Sequence, residues 1–327
     1  MSTTRPAVEV DRPSLADVRR GLYSPSVEGA PLRRQVDPRG RGPRRVRSVA
    51  AVAGLAALVL SGCSSEELSR GFLPRGASDG AQRVQDLWVG GWIAALAVGA
   101  LVWGLTIWCM VAYRRKKDDT GLPPQLRYNV PIELLYTVVP VMMIFVLFYY
   151  TARDEAVLLD TSQKPDVTIN VVGKQWSWDF NYVDGKVWES GVQAKLTGEP
   201  GVEKTLPTLY LPKDKRVEFV LTSRDVIHSF WVPAFQQKLD MIPGKVNKFQ
   251  VVPRELGTYQ GKCAELCGQY HAAMLFNVKV VTQEEYDKHL QGLRDKGQTG
   301  MLDNSLNRSP LEPGQEKLMQ WTPEGKK

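Results

Sequence analysis

The residues with the clearest chemical potential lie between positions 263 and 274, where two Cys, a His and a Met follow one another closely. They are Cys263, Cys267, His271 and Met274, and a further His, His228, stands 35 residues before the first Cys. Thiolate, imidazole and thioether groups are soft or borderline ligands, which suit copper rather than magnesium or calcium. One Cys would favour a mononuclear copper site, whereas two Cys four positions apart can share their sulfurs between two metals. The pattern predicts a dinuclear copper centre for electron transfer.

The two Cys have a simpler interpretation, which is a disulfide bond formed in an oxidising compartment. A disulfide does not require a His and a Met at positions 271 and 274, so the copper interpretation accounts for more of the pattern. The other two Cys stand apart, since Cys63 ends one apolar run and Cys109 lies inside another.

The positive charge of the chain is concentrated at its N-terminus. The formal net charge of +7 over 327 residues includes eleven Arg and no Lys against five acids in residues 1–62. The remaining residues carry 31 basic and 30 acidic side chains, which nearly cancel. After residue 62 the sequence has no basic helix and no basic patch interleaved with aromatic residues, which argues against nucleic-acid binding.

Residues 1–62 have the pattern of a secretory signal preceded by an Arg-rich extension that we expect to be disordered. Arg44, Arg45 and Arg47 precede an apolar run over residues 49–60, which is shorter than the roughly 20 residues of a membrane span. The following Leu-Ser-Gly-Cys resembles a bacterial lipobox, in which Cys63 would be lipidated and become the mature N-terminus. Cleavage by an ordinary signal peptidase, with an unmodified Cys63, is the alternative.

Two long apolar runs follow, at about residues 87–113 and 130–150, and both are long enough to cross a bilayer. The basic residues at 114–117 between them are typical of a cytoplasmic loop, so both outer ends face outward, as a lipid on Cys63 would. We therefore expect an extracytoplasmic segment over residues 63–85 and a transmembrane helical hairpin over residues 86–151. The membrane would be a bacterial plasma membrane.

The pattern changes to short β-rich runs after the hairpin, and we expect a β-sandwich domain over residues 152–296. The predicted strands cover residues 167–172, 176–183, 216–222, 246–252 and 274–281. Residues 188–207 show no clear strand and are predicted to be a surface insertion. Thr282 and Glu285 form a capping box that opens a helix to about Lys296. Residues 297–327 are expected to form a polar C-terminal tail.

Three segments resemble subunit II of haem-copper cytochrome c oxidase. They are residues 225–230, the loop at 263–274 and the motif Trp176-Ser177-Trp178, within a matching region of about residues 86–296. The resemblance implies a two-helix transmembrane hairpin followed by an all-β, cupredoxin-like Greek-key sandwich. It also implies the function: subunit II accepts electrons from a cytochrome c and passes them to the haem-copper site of subunit I. There, oxygen reduction is coupled to proton translocation.

The resemblance implies a set of copper ligands, namely His228, Cys263, Glu265, Cys267, His271 and Met274. The two Cys would bridge two copper ions, each His would bind one of them, and the Met would be a weak ligand. Glu265 would contribute its main-chain carbonyl. Its side chain would then be free to help hold a magnesium ion at the contact with subunit I.

Two further residues receive a role through the resemblance. Trp176 would lie at the surface near the copper pair and take electrons from the cytochrome, although Trp176 and Trp178, which alternate along a predicted strand, are also candidates for the core. Glu133, at the cytoplasmic end of the second span, would stand at the mouth of a proton path into subunit I. A snorkelling acid at the membrane interface is the alternative for Glu133.

The sequence offers little charge for attracting a basic electron donor. Four acids are candidates for such steering, namely Asp179, Asp184, Glu189 and Asp225. Because the chain after residue 62 is nearly neutral, the case for steering is weak, and a tethered cytochrome c domain is the alternative to a free, basic cytochrome c. The third His, His289, falls on a polar helix and is expected to be a solvated surface residue.

Three related classes of protein fit less well. A membrane-tethered copper chaperone of thioredoxin type also has two Cys four positions apart, but its His lies far downstream and its pattern is βαβ. A nitrous-oxide reductase needs a large His-rich domain, and a quinol oxidase subunit II lacks the copper ligands. With three His, this chain cannot bind haems and an oxygen-reducing copper of its own, which assigns the oxygen chemistry to subunit I.

Overall fold

The computed structural model describes residues 64–115, 121–122, 125, 127–195, 197 and 201–302, together with residue 54. Cys63, almost all of the leader and the tail beyond residue 302 lie outside the described residues, so the predictions for them stay predictions.

Two long helices precede the β-domain. A short helix, α1 (Ser65–Ser69), is followed by α2 (Ala81–Ala112) and α3 (Val130–Leu158). Nearly all side chains of α2 and α3 are exposed in this chain, and both helices are apolar on every side, which is typical of membrane helices. By length and composition, both are able to cross a membrane.

Both helices are longer than the apolar runs that predicted them: α2 begins at Ala81 and α3 ends at Leu158. An ion cluster joins these two helix ends. The Asp154 carboxylate lies 2.9 Å from Arg83 of α2 and 2.8 Å from the neighbouring Arg153. These polar residues ended the hydropathy signal in the sequence. In the structure they join the two helices.

The β-domain consists of two five-stranded sheets. One has the order β3-β2-β1-β5-β8 and the other the order β4-β10-β9-β6-β7. The strands are β1 (Val167–Lys174), β2 (Ser177–Tyr182), β3 (Val187–Ser190), β4 (Thr208–Pro212), β5 (Val217–Ser223), β6 (His228–Val232), β7 (Gln237–Met241), β8 (Asn247–Val251), β9 (Gly257–Cys263) and β10 (Leu275–Val281). The chain changes sheet five times between β3 and β9, and β1–β5 and β4–β10 are parallel pairs. The predicted Greek-key sandwich is confirmed.

Five strands match the predicted ones within a few residues, namely β1, β2, β5, β8 and β10. The other five, β3, β4, β6, β7 and β9, were missed. All but β9 have only four or five residues, and β7 and β9 contain Lys, Gln, Gly or Asp among few apolar residues. The expectation of no strand in residues 188–207 is wrong, because β3 covers the beginning of that stretch. A short 3-10 helix, Val202–Thr205, lies near its end.

Aromatic side chains fill the space between the sheets. Trp178, Phe180, Phe230 and Phe276 are fully buried, and the rings of Phe230 and Phe276 stack at 5.2 Å. Each such side chain contributes roughly 1.5–3 kcal/mol through burial. The same core includes both Cys and the Met of the predicted copper loop. The loop is therefore one end of the core rather than an appendage.

The C-terminal helix α4 (Gln283–Asp295) begins with the predicted capping box, and both of its hydrogen bonds are present. The expectation for His289 is wrong. Its ring stacks on Tyr210 at 3.8 Å and its side chain is 15% exposed. Burial, together with the charges of Lys296 and Lys279, lowers the pKa of His289 to about 4. The sequence concealed this contact because β4, which carries Tyr210, was not predicted.

Candidate metal centre

The candidate site forms where two neighbouring strands meet one loop. His228 is the first residue of β6, and Cys263 is the last residue of β9, its antiparallel partner. The chain then makes an irregular loop, a 3-10 turn at His271–Ala273, and enters β10. The strands supply two donors from a rigid sheet, while the loop supplies the others.

The side chains of the predicted ligands converge. The sulfurs of Cys263 and Cys267 are 3.9 Å apart, and both Cys are free thiols. Nδ1 of His228 lies 3.8 Å from the Cys263 sulfur, and Nδ1 of His271 lies 3.6 Å from the Cys267 sulfur. The Met274 sulfur lies 3.8 Å from that of Cys267. The donor atoms of His228, Cys263 and Cys267 all lie within 4.8 Å of one another, close enough to share a metal.

The main-chain carbonyl and the side-chain carboxylate of Glu265 point to different surroundings. Its main-chain carbonyl oxygen is 3.2 Å from the Cys263 sulfur, while its side chain is exposed. The backbone of this residue therefore belongs to the site, and its carboxylate is free to meet another molecule.

His228 is held by a carboxylate that the sequence analysis had assigned to a different purpose. Its Nε2 lies 2.8 Å from Asp225 Oδ1, and the other oxygen of Asp225 accepts from the backbone N–H of Gln175. With Nε2 donating to Asp225, Nδ1 is left as the metal-binding nitrogen. A Cβ on Gly173 would come within 2.9 Å of the His228 ring, so this position needs glycine for space.

The two thiols titrate differently. Burial raises the pKa of Cys263, but the hydrogen bond between Cys263 and His228 and two backbone contacts outweigh it and lower the pKa to about 7. Burial and the nearby charge of Cys263 raise the pKa of Cys267 to about 12. Burial lowers the pKa of His228, yet Asp225 and Cys263 raise it above its usual value. A bound cation would be needed to release the second thiol proton near neutral pH.

Trp176 lies against the ligand loop. Its indole N–H donates to the carbonyl of Cys267 at 3.3 Å, and its ring meets Tyr270 edge to face at 4.9 Å. The side chain of Gln175 donates to the same carbonyl at 2.8 Å. A Cβ on Gly268, whose φ is +125°, would come within 3.1 Å of the indole, so glycine permits this close approach.

Trp176 and Trp178 do not share one strand face as expected, because β2 begins at Ser177. Trp178 is fully buried in the core, where its indole N–H donates to the Met274 carbonyl at 3.4 Å. Trp176 is half-buried and precedes the strand. Trp178 thus contacts the ligand loop from the core, and Trp176 contacts it from the turn before β2.

The acids considered for steering do not form one exposed surface. Asp179 is 1% exposed and pairs with Lys174, and Asp225 faces His228. Glu189 lies 3.6 Å from the half-buried His289. Of the four, Asp184 is exposed, and it accepts a hydrogen bond from the backbone of β1.

Glu133 is not part of this site. It lies in the first turn of α3, where its carboxylate accepts from the Asn129 N–H at 2.8 Å. The rest of α3 separates it from the β-domain by about 37 Å along the helix axis. Within this chain its described partner is a local capping contact, which the sequence analysis overlooked.

Three supporting residues escaped the sequence analysis, namely Gly173, Gln175 and, in its contact with His228, Asp225. Asp225 was detectable in part, because a metal-binding His commonly donates its second ring N–H to a carboxylate, and Asp225 is near His228 in the sequence. Gly173 and Gln175 lie far from the ligands in sequence and have no comparable signal.

The fold and the donor set define a class: a membrane-anchored copper protein whose cupredoxin-like domain carries an electron-transfer site. The comparisons agree with this class. Residues 167–281 match the family described as cytochrome c oxidase subunit II, periplasmic domain. The probable cytochrome c oxidase subunit 2 of Streptomyces avermitilis is 48% identical over 304 residues, which cover 84% of this chain and 95% of that protein.

Other relatives carry the same description. Cytochrome c oxidase subunit 2 of Mycobacterium tuberculosis is 36% identical over 320 residues, which cover 83% of this chain and 88% of the relative. Among solved structures, the periplasmic domain of subunit II of Bradyrhizobium japonicum cytochrome oxidase is 32% identical. It matches 41% of this chain and 97% of its own, with a TM-score of 0.38. The chain belongs to the cytochrome c oxidase subunit II family.

The family confirms the main prediction of function. The protein is the subunit II component of cytochrome c oxidase, an oxidoreductase complex, and it is a membrane protein with an extracytoplasmic copper domain. The thioredoxin-type chaperone is not supported, because the domain consists of two packed β-sheets rather than βαβ units.

Proposed function

We propose that the loop and strand-end residues hold two copper ions, which take electrons from a cytochrome c and pass them to the haem-copper site of subunit I. The six residues are His228, Cys263, Glu265, Cys267, His271 and Met274. One observation carries the proposal. The two thiols lie 3.9 Å apart, and each has the Nδ1 of a different His beside it, at 3.8 Å and 3.6 Å.

This arrangement is what a dinuclear site requires, because both sulfurs are available to both metals and each metal has its own imidazole. When bound, two copper ions with shared thiolates would spread one unpaired electron over both centres. The chain supplies the surroundings that keep the donors in place. Asp225 orients His228, and the carbonyl contacts from Gln175 and Trp176 hold the loop.

Exclusion of water is the second contribution of the chain. His228 and Met274 are 0% exposed, and Cys263 and Cys267 are 5% and 3% exposed. A dry and rigid surrounding limits the rearrangement that accompanies a change in metal charge. Electron transfer then needs little movement of the protein.

Trp176 is proposed as the point that receives electrons from the donor. Its indole N–H donates to the carbonyl of Cys267, whose sulfur would bridge the two metals, and the ring also contacts the exposed Tyr270. Since the acids nearby are mostly engaged internally, the donor need not be strongly basic. A free cytochrome c and a tethered cytochrome c domain both meet this requirement.

Two carboxylates are proposed to act at contacts with subunit I. The exposed side chain of Glu265 would help hold a magnesium ion there, since magnesium prefers carboxylate oxygens. Glu133, at the other end of the hairpin, would stand at the mouth of a proton path that serves oxygen reduction and proton translocation. A half-buried acid at the end of an apolar helix supports this role.

The membrane attachment is proposed to have two parts. The hairpin would cross a bacterial plasma membrane twice, and a lipid on Cys63 would enter its outer leaflet. The position of the neighbouring chain supports the lipid, because the Gly71 carbonyl accepts a 2.8 Å hydrogen bond from the indole of Trp88, seven residues inside α2. The chain near Cys63 thus runs beside the outer part of a proposed membrane helix.

Copper analysis of the purified full-length subunit tests the main proposal. We expect two copper ions per chain and an electron spin resonance spectrum with hyperfine splitting from two nuclei. One copper per chain with splitting from a single nucleus would contradict the dinuclear site.

A further inference from the structure

The segment that precedes α2 is hydrogen-bonded to the β-domain. We name residues 74–80 the outer strap. The backbone N–H of Ala77 donates to Ala234 at 2.7 Å, and its carbonyl accepts from Arg254 at 2.8 Å. Ala77 is 2% exposed, so the strap is inserted between two parts of the domain.

Side chains add to this attachment. Ser78 Oγ donates to the Phe235 carbonyl at 3.0 Å. Asp79 and Val252 bond reciprocally: the Asp79 N–H donates to the Val252 carbonyl at 3.1 Å, and Asp79 Oδ1 accepts from the Val252 N–H at 3.0 Å. At the other end of the strap, the Pro74 carbonyl accepts from Gln236 at 2.8 Å.

The connection between the outer strap and α2 is very short. Gly80 alone separates Asp79 from Ala81, the first residue of α2, which is 3% exposed. A Cβ on Gly76 would lie 2.5 Å from the Ala81 side chain, and one on Gly80 would lie 2.7 Å from Leu158 at the end of α3. Both glycines therefore permit the strap and the helix ends to meet in one place.

The second helix is fastened to the same part of the domain. The side chain of Gln237, the first residue of β7, donates to the carbonyl of Leu158, the last residue of α3, at 3.1 Å. The ion pair between Arg83 and Asp154 joins α3 to α2 at 2.9 Å. The hairpin and the domain are thus connected at two points, with the helix ends joined between them.

This joint lies at one end of the strand that carries a proposed copper ligand. Strand β6 begins with His228 and ends at Val232, directly before the turn Pro233–Phe235 that the strap contacts. Five residues of strand span about 13 Å between their end residues. The orientation of the hairpin is therefore passed to the site through one short, hydrogen-bonded strand.

We propose that the outer strap is a positioning element for electron transfer from the copper centre to subunit I. The inference rests on the proposed copper function. In the proposed function, subunit I meets the hairpin at Glu133 and the domain at Glu265, and electron-transfer rates fall steeply as the distance between donor and acceptor grows. If the β-domain could move relative to its helices, the distance between the copper centre and the haem of subunit I would vary. The strap would keep that distance constant. Ser78 and Asp79 are the positioning residues.

The test uses the complete oxidase with the double substitution Ser78→Ala and Asp79→Ala, which removes two side-chain bonds of the strap. The matched control is Gln82→Ala with Asp86→Ala, which removes an exposed 2.7 Å side-chain bond within α2, a few residues away. Copper content, the spin spectrum and reduction of copper by cytochrome c should match the wild type in both. Transfer from copper to the haem of subunit I should slow several-fold in the strap variant alone.

Asp79→Asn serves as the rescue, because its amide oxygen can still accept from Val252, and transfer should return to the wild-type rate. A wild-type transfer rate in the double variant would overturn the proposal. So would a loss of copper, or an equal slowing of every step, since either would mean a general loss of structure. If the double variant does not assemble, copper content and the rate of transfer from copper to haem are measured in Asp79→Ala instead, with the same expected outcomes. Absence of copper from the wild-type subunit would instead refute the proposed function.

Discussion

The loop with the proposed copper ligands and the start of α3 hold the two kinds of functional residue proposed for this chain, and the surrounding chain supports them very differently. At the loop, Cys267 is 3% exposed, its carbonyl accepts two hydrogen bonds, and its sulfur has three donor atoms within 4 Å. At the start of α3, Glu133 is half-buried, and its described hydrogen bond is with the Asn129 N–H at its own helix N-terminus. The chain therefore builds one site by itself and contributes a single group to the other.

This difference indicates where each function can be studied. The metal site should form and be measurable in the isolated subunit, because its donors and their supports all come from this chain. The role of Glu133 requires the partner subunit, since nothing described around it in this chain would direct a proton. Four substitutions test the contrast, and they are given from the largest expected effect to the smallest.

Cys267→Ser should abolish the site. A hydroxyl does not replace a bridging thiolate, so copper content should fall, the spin signal of two nuclei should disappear, and turnover should drop to background. Cys109→Ser, an identical change on exposed α2, is the control and should behave as wild type. If Cys267→Ser retained the two-nucleus signal, the sulfur of Cys267 would not be a bridge.

Trp176→Phe should slow reduction of the copper by cytochrome c several-fold while leaving copper content unchanged. Phenylalanine keeps an aromatic ring but loses the N–H that donates to the Cys267 carbonyl. Stopped-flow reduction of the oxidase measures this step, and Trp188→Phe on β3 is the control. Copper loss in Trp176→Phe would instead assign this residue to packing.

Glu133→Gln should lower steady-state oxygen turnover by a few-fold and leave reduction of the copper untouched. Glutamine preserves the acceptor for the Asn129 N–H, so α3 should begin as before. Glu155→Gln, at the outer end of the same helix, supplies the matched control. Wild-type turnover in Glu133→Gln would leave only the interfacial and capping roles.

Asp225→Asn should retain copper and raise its reduction potential by a small amount. The amide oxygen can still accept from His228, but the lost negative charge no longer favours the oxidised, more positive site. A potentiometric titration of the isolated subunit measures the shift. The same change at the exposed Asp184, which follows the far end of β2 from Ser177, should have no effect. An equal shift in both variants would rule out a local contact as the cause.

Much of the fold was predictable because it depends on local pattern. Long apolar runs predicted α2 and α3, and alternating apolar residues predicted five of the ten strands. The strands β3, β4 and β7 are edge strands of four or five residues, so each offers too few positions for an alternating apolar pattern to be recognised. Missing β4 led directly to the wrong expectation for His289, since the partner of that ring was unknown.

The amino-acid sequence alone determined the chemistry of the proposed copper site, because four of its proposed donors fall within twelve residues and their types favour copper. It also determined the hairpin, through the length and hydropathy of two segments. The tertiary structure decided which nitrogen of His228 is free, how Trp176 and Trp178 divide their contacts, and how the strap joins domain to membrane. Those features depend on contacts such as Gln175 with Cys267 and Ser78 with Phe235, which are 92 and 157 residues apart. No local pattern encodes such a contact, because it exists only after the sheets have packed.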